Sequence, residues 1–132
     1  MIDVRIQAAE FDPGKQIRRL EELGAGSVAS LAAAAHAGEG VEQIWIDHYP
    51  AMARSELARI AAEAEARWGL PGIILIHRHG RVKPGERLAL AAVASADADA
   101  ALDACAFLLD ALRTRAPFWR KETLPDGSTR WR

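Results

Sequence analysis

Apolar and polar positions along the chain follow two different periods, which predicts strands and helices in an interleaved order. Residues 2–6 alternate between apolar and polar side chains, a pattern typical of a short half-buried strand. Short apolar-rich runs predict further, buried strands at 41–47, 73–76 and 88–94. Within the first of these runs, we expect Ile44, Trp45 and Ile46 to be buried on both sides of the strand.

Apolar residues at steps of three and four predict two helices that each begin at a proline. Pro13 opens the first helix, and Pro50 opens the second, which extends to about Trp68. Each helix has an apolar face, formed by Ile17, Leu20 and Leu23 in the first and by Leu57, Ile60, Ala61, Ala64 and Trp68 in the second.

A third helix is predicted to begin after Asp97 or Asp99, either of which can cap its first turn. Pro117 ends it, because proline cannot continue a helix and disfavours helical geometry in the residue before it. The expected core-facing stripe consists of Leu102, Cys105, Leu109 and Leu112, with Ala106 and Leu108 filling in.

The order of these elements bears on the fold class. Strands and helices alternate, but short turns favour antiparallel pairing, as in the hairpin predicted around 125–128 from its Pro-Asp-Gly-Ser sequence. We therefore predict the α+β class, with a mostly antiparallel sheet and about three helices. A chain of 132 residues is long enough for one hydrophobic core, so we expect a single domain spanning 1–132.

Composition excludes several classes of protein. No apolar run approaches the roughly 20 residues that a membrane span needs, and residues 1–5 lack the pattern of a signal peptide. One cysteine cannot form an internal disulfide or a multi-cysteine metal site. A cytoplasmic location therefore fits best, and we expect no membrane partner.

Charge is unevenly distributed along a chain whose formal net charge is −1. Residues 113–132 contain six Lys or Arg against two acids, a net charge of +4, which leaves −5 for the other 112 residues. Four of those cations, Arg113, Arg115, Arg120 and Lys121, lie within nine residues. Such a cluster predicts a site for a small anion or an acidic peptide tail, whereas nucleic acid usually requires a broader basic face.

Each of these residues also has a purely structural interpretation. Arg113 and Arg115 fit an exposed helix end, and Arg120 with Lys121 fits an ordinary strand surface. His77 and His79 lie at a strand end, but without a third ligand at suitable spacing we predict no metal.

Four ordered motifs resemble the signature of the molybdopterin synthase large (catalytic) subunit, the MoaE family. The most extensive is segment 101–122, A-L-D-A-C-A-F-L-L-D-A-L-R-T-R-A-P-F-W-R-K-E. The others are H-Y-P-x-M at 48–52, H-R-x-G-x-V-x-x-G-E at 77–86 and A-V-A-S at 92–95, and Asp126-Gly127 followed by Trp131 also fits. The resemblance covers most of the chain.

The resemblance implies a fold, an activity and partners. The fold is the α/β-hammerhead, with a strand at 27–33, where the alanines by themselves favour a helix. The activity is sulfur transfer from the thiocarboxylated C-terminus of a small ubiquitin-like subunit to cyclic pyranopterin monophosphate (precursor Z), which forms the molybdopterin dithiolene. The implied assembly is a homodimer with one small subunit at each end, a heterotetramer. No cofactor is expected, because the sulfur arrives with the partner.

The resemblance also implies site residues. Two lysines of the family motif correspond to Arg113 and Arg120 here, while Lys121 and Glu122 match the pair that follows. We therefore predict that Arg113, Arg120 and Lys121 are catalytic, and that these three bind substrate together with Glu122 and Asp97. Lys121 is the one amine in this group, and Asp97 would weaken the binding of an anion through repulsion.

Two family motifs are altered in this sequence. The motif F-x-G-x-V-R corresponds to 28–33, V-A-S-L-A-A, which has no arginine, and S-x-H-R has become Ser-Ala-Asp-Ala at 95–98. These losses motivate an alternative to the synthase. The chain would then be a diverged, catalytically weak or inactive homologue that binds the ubiquitin-like partner.

Overall fold

The structure is a computed structural model that describes residues 1–132. It contains eight strands and three helices in an interleaved order. They are β1 (Ile2–Gln7), α1 (Pro13–Glu21), β2 (Ser27–Ala34), β3 (Gln43–His48), α2 (Pro50–Trp68), β4 (Gly72–Arg78), β5 (Gly80–Val82), β6 (Arg87–Ser95), α3 (Ala98–Thr114), β7 (Phe118–Thr123) and β8 (Thr129–Trp131). No helix combines the length and apolar composition needed to cross a membrane.

The strands form two four-stranded sheets. The first has the order β1-β4-β6-β2, in which only the β1–β4 pair is parallel. The second, β5-β3-β7-β8, is antiparallel throughout. The predicted α+β class, with three helices and mostly antiparallel pairing, is confirmed. The sequence analysis did not anticipate the parallel pair, the three-residue strand β5 or the division into two sheets.

The first sheet has helices on both faces, which explains why β4 is apolar at successive positions. Ile73 and Leu75 face the core beneath α2 and α3. Ile74 and Ile76 face a smaller core beneath α1. Because successive strand residues point to opposite faces, a strand covered on both sides reads as one continuous apolar run.

Helix α3 packs closely on the first sheet, with a face that matches the predicted stripe only in part. Its buried residues are Ala101, Ala104, Cys105, Leu108, Ala111 and Leu112. Cys105, Leu108 and Leu112 are buried as predicted, whereas Leu102 is 61% exposed and alanines take part of the contact instead. Alanines at the contact let the helix approach β6, whose inward residues are also small, and this close packing outweighs the burial of one larger leucine.

Cys105 lies in that contact and is buried. Its thiol donates a hydrogen bond to the carbonyl oxygen of Ala91 at 3.1 Å. Burial raises the pKa of Cys105 to about 11, with a smaller opposing effect from a backbone hydrogen bond at Leu31. The thiol is therefore protonated at neutral pH.

The second sheet covers a third small core that contains Ile44, Ile46 and Val82. The expectation that Trp45 is buried was wrong, because 47% of it is exposed. This sheet has one face without a helix, so its strands alternate between buried and exposed residues. One face of this sheet lies beside the C-terminal end of α3, with a cavity between them.

Candidate active site

Two adjoining cavities lie where the second sheet meets α3 and β2. Their volumes are about 210 Å³ and 460 Å³. Both are lined by His77, Leu88, Leu112, Arg113 and Arg120. No Asp or Glu side chain lines either cavity, so this pocket presents cations, one or two imidazoles and apolar surface.

The two arginines reach the pocket from separate elements. Arg113 lies in the last turn of α3, and 69% of its side chain is exposed. Its one ion-pair partner, Asp110, lies 3.5 Å away and is itself exposed, so the pair is weak. Arg120 follows on β7, opposite Ile46, and its Nη1 donates a hydrogen bond to the carbonyl oxygen of His36.

Glu122 forms ion pairs with three arginines of this region. Its side chain is fully buried and lies 2.9 Å from Arg130, 3.5 Å from Arg132 and 3.8 Å from Arg120. Burial acts to raise its pKa, but the hydrogen bond from Arg130 and the charges of the three arginines outweigh burial and hold the pKa below its ordinary value. Glu122 therefore stays ionised and orients the guanidinium groups without lining the pocket.

His77 lies between the pocket and the aromatic residues of the second sheet. Its ring stacks on Phe118, with centroids 3.8 Å apart and an interplanar angle of 8°. Burial lowers the pKa of His77 to about 4, and the charges of His48, Arg120 and His79 act in the same direction, while the Arg78 carbonyl opposes them. The imidazole is neutral at physiological pH.

The sequence analysis placed His77 at a strand end and gave it no role in the site. The alternation along β4 was the signal that could have located it, because His77 lies two residues beyond Leu75 and shares its face. A residue on that face at the end of the strand reaches the pocket beside α3.

Lys121 does not lie in the pocket with Arg120. It points to the opposite face of β7, where its cross-strand neighbours are Trp45 and Trp131. Its Nζ lies 5.7 Å from the centroid of the Trp131 ring, and it lines a separate cavity of about 190 Å³ with Arg81. Because adjacent residues of a strand face opposite ways, the expectation that Arg120 and Lys121 share one pocket is corrected.

Asp97 is also remote from the pocket. It is the N-cap of α3, and its carboxylate accepts a hydrogen bond from the backbone N–H of Asp99. Arg113 lies sixteen residues further along the same helix, which corresponds to roughly 24 Å at 1.5 Å per residue. Within one chain, Asp97 therefore cannot repel an anion bound at Arg113.

Arg115 has a structural partnership and does not add to the pocket. It forms ion pairs with Glu56 and Glu63 of α2, the first at 2.9 Å. The hydrogen bonds to both carboxylates raise its pKa above the ordinary value, against a smaller effect of burial. Of the four cations grouped in the sequence, only Arg113 and Arg120 line the cavities.

The arginine of the family motif that this chain lacks corresponds to a position in the pocket lining. Aligned on F-x-G-x-V-R, the arginine corresponds to Ala33, which lines the larger cavity. No group of three or more His, Cys, Asp and Glu side chains has the arrangement of a metal site.

Comparison with known proteins gives a consistent result. A model of the MoaE protein family matches residues 6–115. A molybdopterin synthase catalytic subunit of Mesorhizobium japonicum is 45% identical over 128 residues, which are 95% of this chain and 80% of that protein. A molybdopterin synthase catalytic subunit of Pseudomonas aeruginosa is 41% identical over 133 residues, which cover 97% and 88% of the two chains.

The fold comparison agrees. The molybdopterin biosynthesis MoaE protein from Burkholderia ambifaria superposes with a TM-score of 0.86 at 34% identity, over 99% of this chain and 88% of that one. The α/β-hammerhead arrangement implied by the sequence motifs is thereby confirmed. From the family match, the identities and the shared fold, we conclude that this chain belongs to the MoaE family of molybdopterin synthase catalytic subunits.

Proposed function

We propose that this chain is the catalytic subunit of a molybdopterin synthase. It transfers sulfur from the thiocarboxylated C-terminus of a small ubiquitin-like subunit to cyclic pyranopterin monophosphate, forming the dithiolene of molybdopterin. The observation that carries this function is a pocket with Arg113 and Arg120 on its wall and no carboxylate. Both the substrate phosphate and the C-terminal thiocarboxylate of the donor are anions that such a pocket attracts.

Arg113 and Arg120 have complementary roles in this proposal. Arg120 is held by Glu122 and by the carbonyl of His36, so its guanidinium is oriented before an anion arrives. Arg113 is more exposed and closes on the anion from the helix end. An arginine stays protonated throughout, so both residues act by electrostatics and hydrogen bonding and neither transfers a proton.

The assembly follows from the same function. Relatives are named catalytic subunits, and a catalytic subunit acts together with another chain. We propose a homodimer of this chain that carries one small subunit at each end, in the cytoplasm. No cofactor is required, because the transferred sulfur is supplied by the thiocarboxylate of the partner.

The comparisons support the synthase over the alternative of a diverged binding homologue. The relatives at 41–45% identity are named as catalytic subunits. The altered S-x-H-R motif lies at the far end of α3 from the two arginines, so its loss leaves the described pocket unchanged. The catalytic role of Lys121 and the substrate-binding role of Asp97 stay predictions, and both require contacts beyond this pocket.

A single-turnover assay tests the proposed function. The purified chain is mixed with precursor Z and a thiocarboxylated small subunit, and molybdopterin is measured as its fluorescent oxidation product. We expect product from the wild-type chain and a loss of about 100-fold or more for Arg120→Ala, because an oriented charge-assisted contact is removed.

Arg81→Ala is the matched control. Arg81 is an arginine of the same sheet on its opposite face, beside Trp45. We expect this variant to keep near-wild-type turnover. Equal losses of turnover in both variants would show that the net charge of the chain matters and that the pocket does not. A wild-type chain that forms no product would refute the proposal that this chain is a synthase subunit.

A further inference from the structure

The pocket contains many hydrogen-bond donors and few groups that can accept a proton. The guanidinium groups of Arg113, Arg120 and Arg132 only donate, and so does the indole of Trp119. Among the lining side chains, His36 and His77 are the ones whose ring nitrogens can accept a proton. His36 is exposed on the loop after β2, whereas His77 is buried in the wall.

The position and tautomer of His77 are both fixed. Its Nδ1 lies 2.7 Å from the carbonyl oxygen of Arg78, which can only accept, so Nδ1 carries the hydrogen. Nε2 therefore has a free lone pair. It forms no hydrogen bond within the chain, and it is not among the unpaired polar atoms that are sealed from solvent. Stacking on Phe118 holds the ring plane, and the His77 side chain lines both cavities.

The charges around His77 keep the imidazole neutral. The surrounding elements contribute cationic or titratable groups and no acid near enough to stabilise an imidazolium. These groups are His48 on β3, His79 after β4, Arg120 on β7, Arg113 on α3, Arg132 after β8 and His36 after β2. An unprotonated, oriented acceptor inside a cationic pocket is the arrangement that a general base requires.

Sulfur transfer from a thiocarboxylate includes a step that consumes water. Once the donor sulfur has bonded to a substrate carbon, it is still attached to the acyl carbon of the small subunit, as a thioester. Hydrolysis of that thioester frees the sulfur. We propose that Nε2 of His77 accepts a proton from the water molecule that attacks this acyl carbon, which makes His77 a catalytic residue of the proposed sulfur transfer.

The atoms and electrons of this step balance. The water oxygen bonds to the acyl carbon, and one water proton passes to Nε2. The carbon–sulfur bond breaks, and the sulfur leaves with the electron pair. The imidazolium then returns the proton to that sulfur, which gives a thiol on the pterin and a carboxylate, with its proton lost to solvent, on the small subunit. No oxidant, reductant or metal is needed.

The surrounding arginines also couple this base to the presence of substrate. With the pocket empty, a pKa of about 4 makes His77 a weak base. Binding of the substrate phosphate would offset the charge of Arg120, which lowers the pKa of His77 in addition to burial, so that pKa moves upward. The imidazole becomes a better base when the substrate is in place.

The proposal is tested by replacing the acceptor and keeping the donor. In His77→Asn the side-chain amide can still donate to the Arg78 carbonyl, but the lone pair of Nε2 is lost. We expect release of molybdopterin to fall by about 100-fold or more, with the thioester between the small subunit and the pterin accumulating to detection by intact-mass spectrometry. Arg81→Ala, on the opposite face of the second sheet and outside the pocket, should release product within twofold of wild type.

The outcomes separate this role from the proposed function. Wild-type turnover with an equally fast His77→Asn variant, or a slow variant without accumulated thioester, would overturn the role of His77 alone. A wild-type chain that forms neither thioester nor product would overturn the synthase as well.

A second measurement uses the wild-type chain and does not depend on any variant folding. The Cε1–H resonance of His77 is followed by NMR from pH 3.5 to 8, with and without inorganic pyrophosphate. We expect the titration midpoint to rise with the anion, because the anion neutralises the charge of the neighbouring Arg120. An unchanged midpoint would show that His77 is a structural residue isolated from the pocket.

Discussion

The two faces of β7 have different side chains and different surroundings, although their residues are adjacent in sequence. The inner face contains Phe118, Arg120 and Glu122, which stack on the pocket histidine, line the pocket and orient its cations. The outer face contains Lys121, whose Nζ lies near the Trp131 ring, while Trp119 at the start of the strand is 41% exposed and borders the pocket. Arg120 and Lys121 are adjacent and carry the same charge, but they face opposite sides of the strand. They therefore contact different groups.

The outer face has an order of its own. Four residues in register across the second sheet alternate between cation and aromatic ring, namely Arg81, Trp45, Lys121 and Trp131. The contact between the Lys121 Nζ and the Trp131 ring contributes about 0.5–1 kcal/mol at such an exposed site. The outer row therefore adds modest stability and, unlike the inner cluster, has no buried charge.

The largest expected effect comes from removing the buried carboxylate of the inner face. Glu122→Gln should lower the free energy of unfolding by about 3 kcal/mol, the lower end of the range for a buried ion pair, because Arg120, Arg130 and Arg132 lose their shared counter-ion but are themselves partly exposed. Urea denaturation measures the change. Lys121→Gln, one residue away on the outer face, should cost less than about 1 kcal/mol, and similar losses in both variants would refute the distinction between the faces.

The second prediction concerns pH. The pKa of His77 is about 4 in the folded protein, below the ordinary value of 6.5, so the unfolded chain binds more protons between these values. The stabilisation is complete above pH 6.5 and is lost as the pH falls to about 4, a loss of about 3 kcal/mol.

The variant His77→Phe isolates this contribution. It keeps an aromatic ring against Phe118 but cannot titrate, so its unfolding free energy should fall less steeply with acidification than that of the wild type. Denaturation curves at pH 7 and pH 4 measure the difference. Parallel pH dependences in the two proteins would show that His77 does not titrate with a lowered pKa.

A third prediction adds a cation to the inner side. Ala33→Arg places a guanidinium at the larger cavity, so we expect phosphate to bind about tenfold more tightly, since one charge-assisted contact contributes on the order of 1.5 kcal/mol. Isothermal titration calorimetry with inorganic phosphate measures the affinity. Leu31→Arg serves as control, because Leu31 is exposed and does not line the cavities. A gain of equal size in the control would indicate a general effect of net charge.

The smallest effect is expected at Lys121. Because its Nζ lies over Trp131 and away from the pocket, Lys121→Ala should change single-turnover rates by less than threefold. A loss comparable to that of Arg120→Ala would restore the catalytic role predicted for Lys121 and would require the outer face to contact substrate in the assembly.

Much of the fold could be predicted from local patterns. The apolar run 73–76 indicated a buried strand, and Pro13 and Pro50 marked helix starts that the structure confirms. The buried face of α3 could be read only in part, because alanines take part of its contact in place of larger apolar residues. The register between strands distant in sequence is also not encoded in any local pattern.

The pocket was only partly predictable. Arg113 and Arg120 were identified from their motif, and the structure brings them to one place. Grouping Lys121 with them overlooked the two-residue period of a strand, and including Asp97 overlooked the length of α3. His77 was missed because a histidine at a strand end has no chemical signature until the neighbouring elements surround it.

The buried Cys105 has a practical consequence for following the reaction. The chain has no other cysteine, and this thiol is both inaccessible and protonated at neutral pH. Alkylating reagents should therefore leave the folded chain unlabelled. Any sulfur that reacts with such a reagent in a reconstituted mixture therefore belongs to the donor or to the product. Quenching the reaction with a thiol label at successive times can follow the transfer of sulfur from the donor to the product.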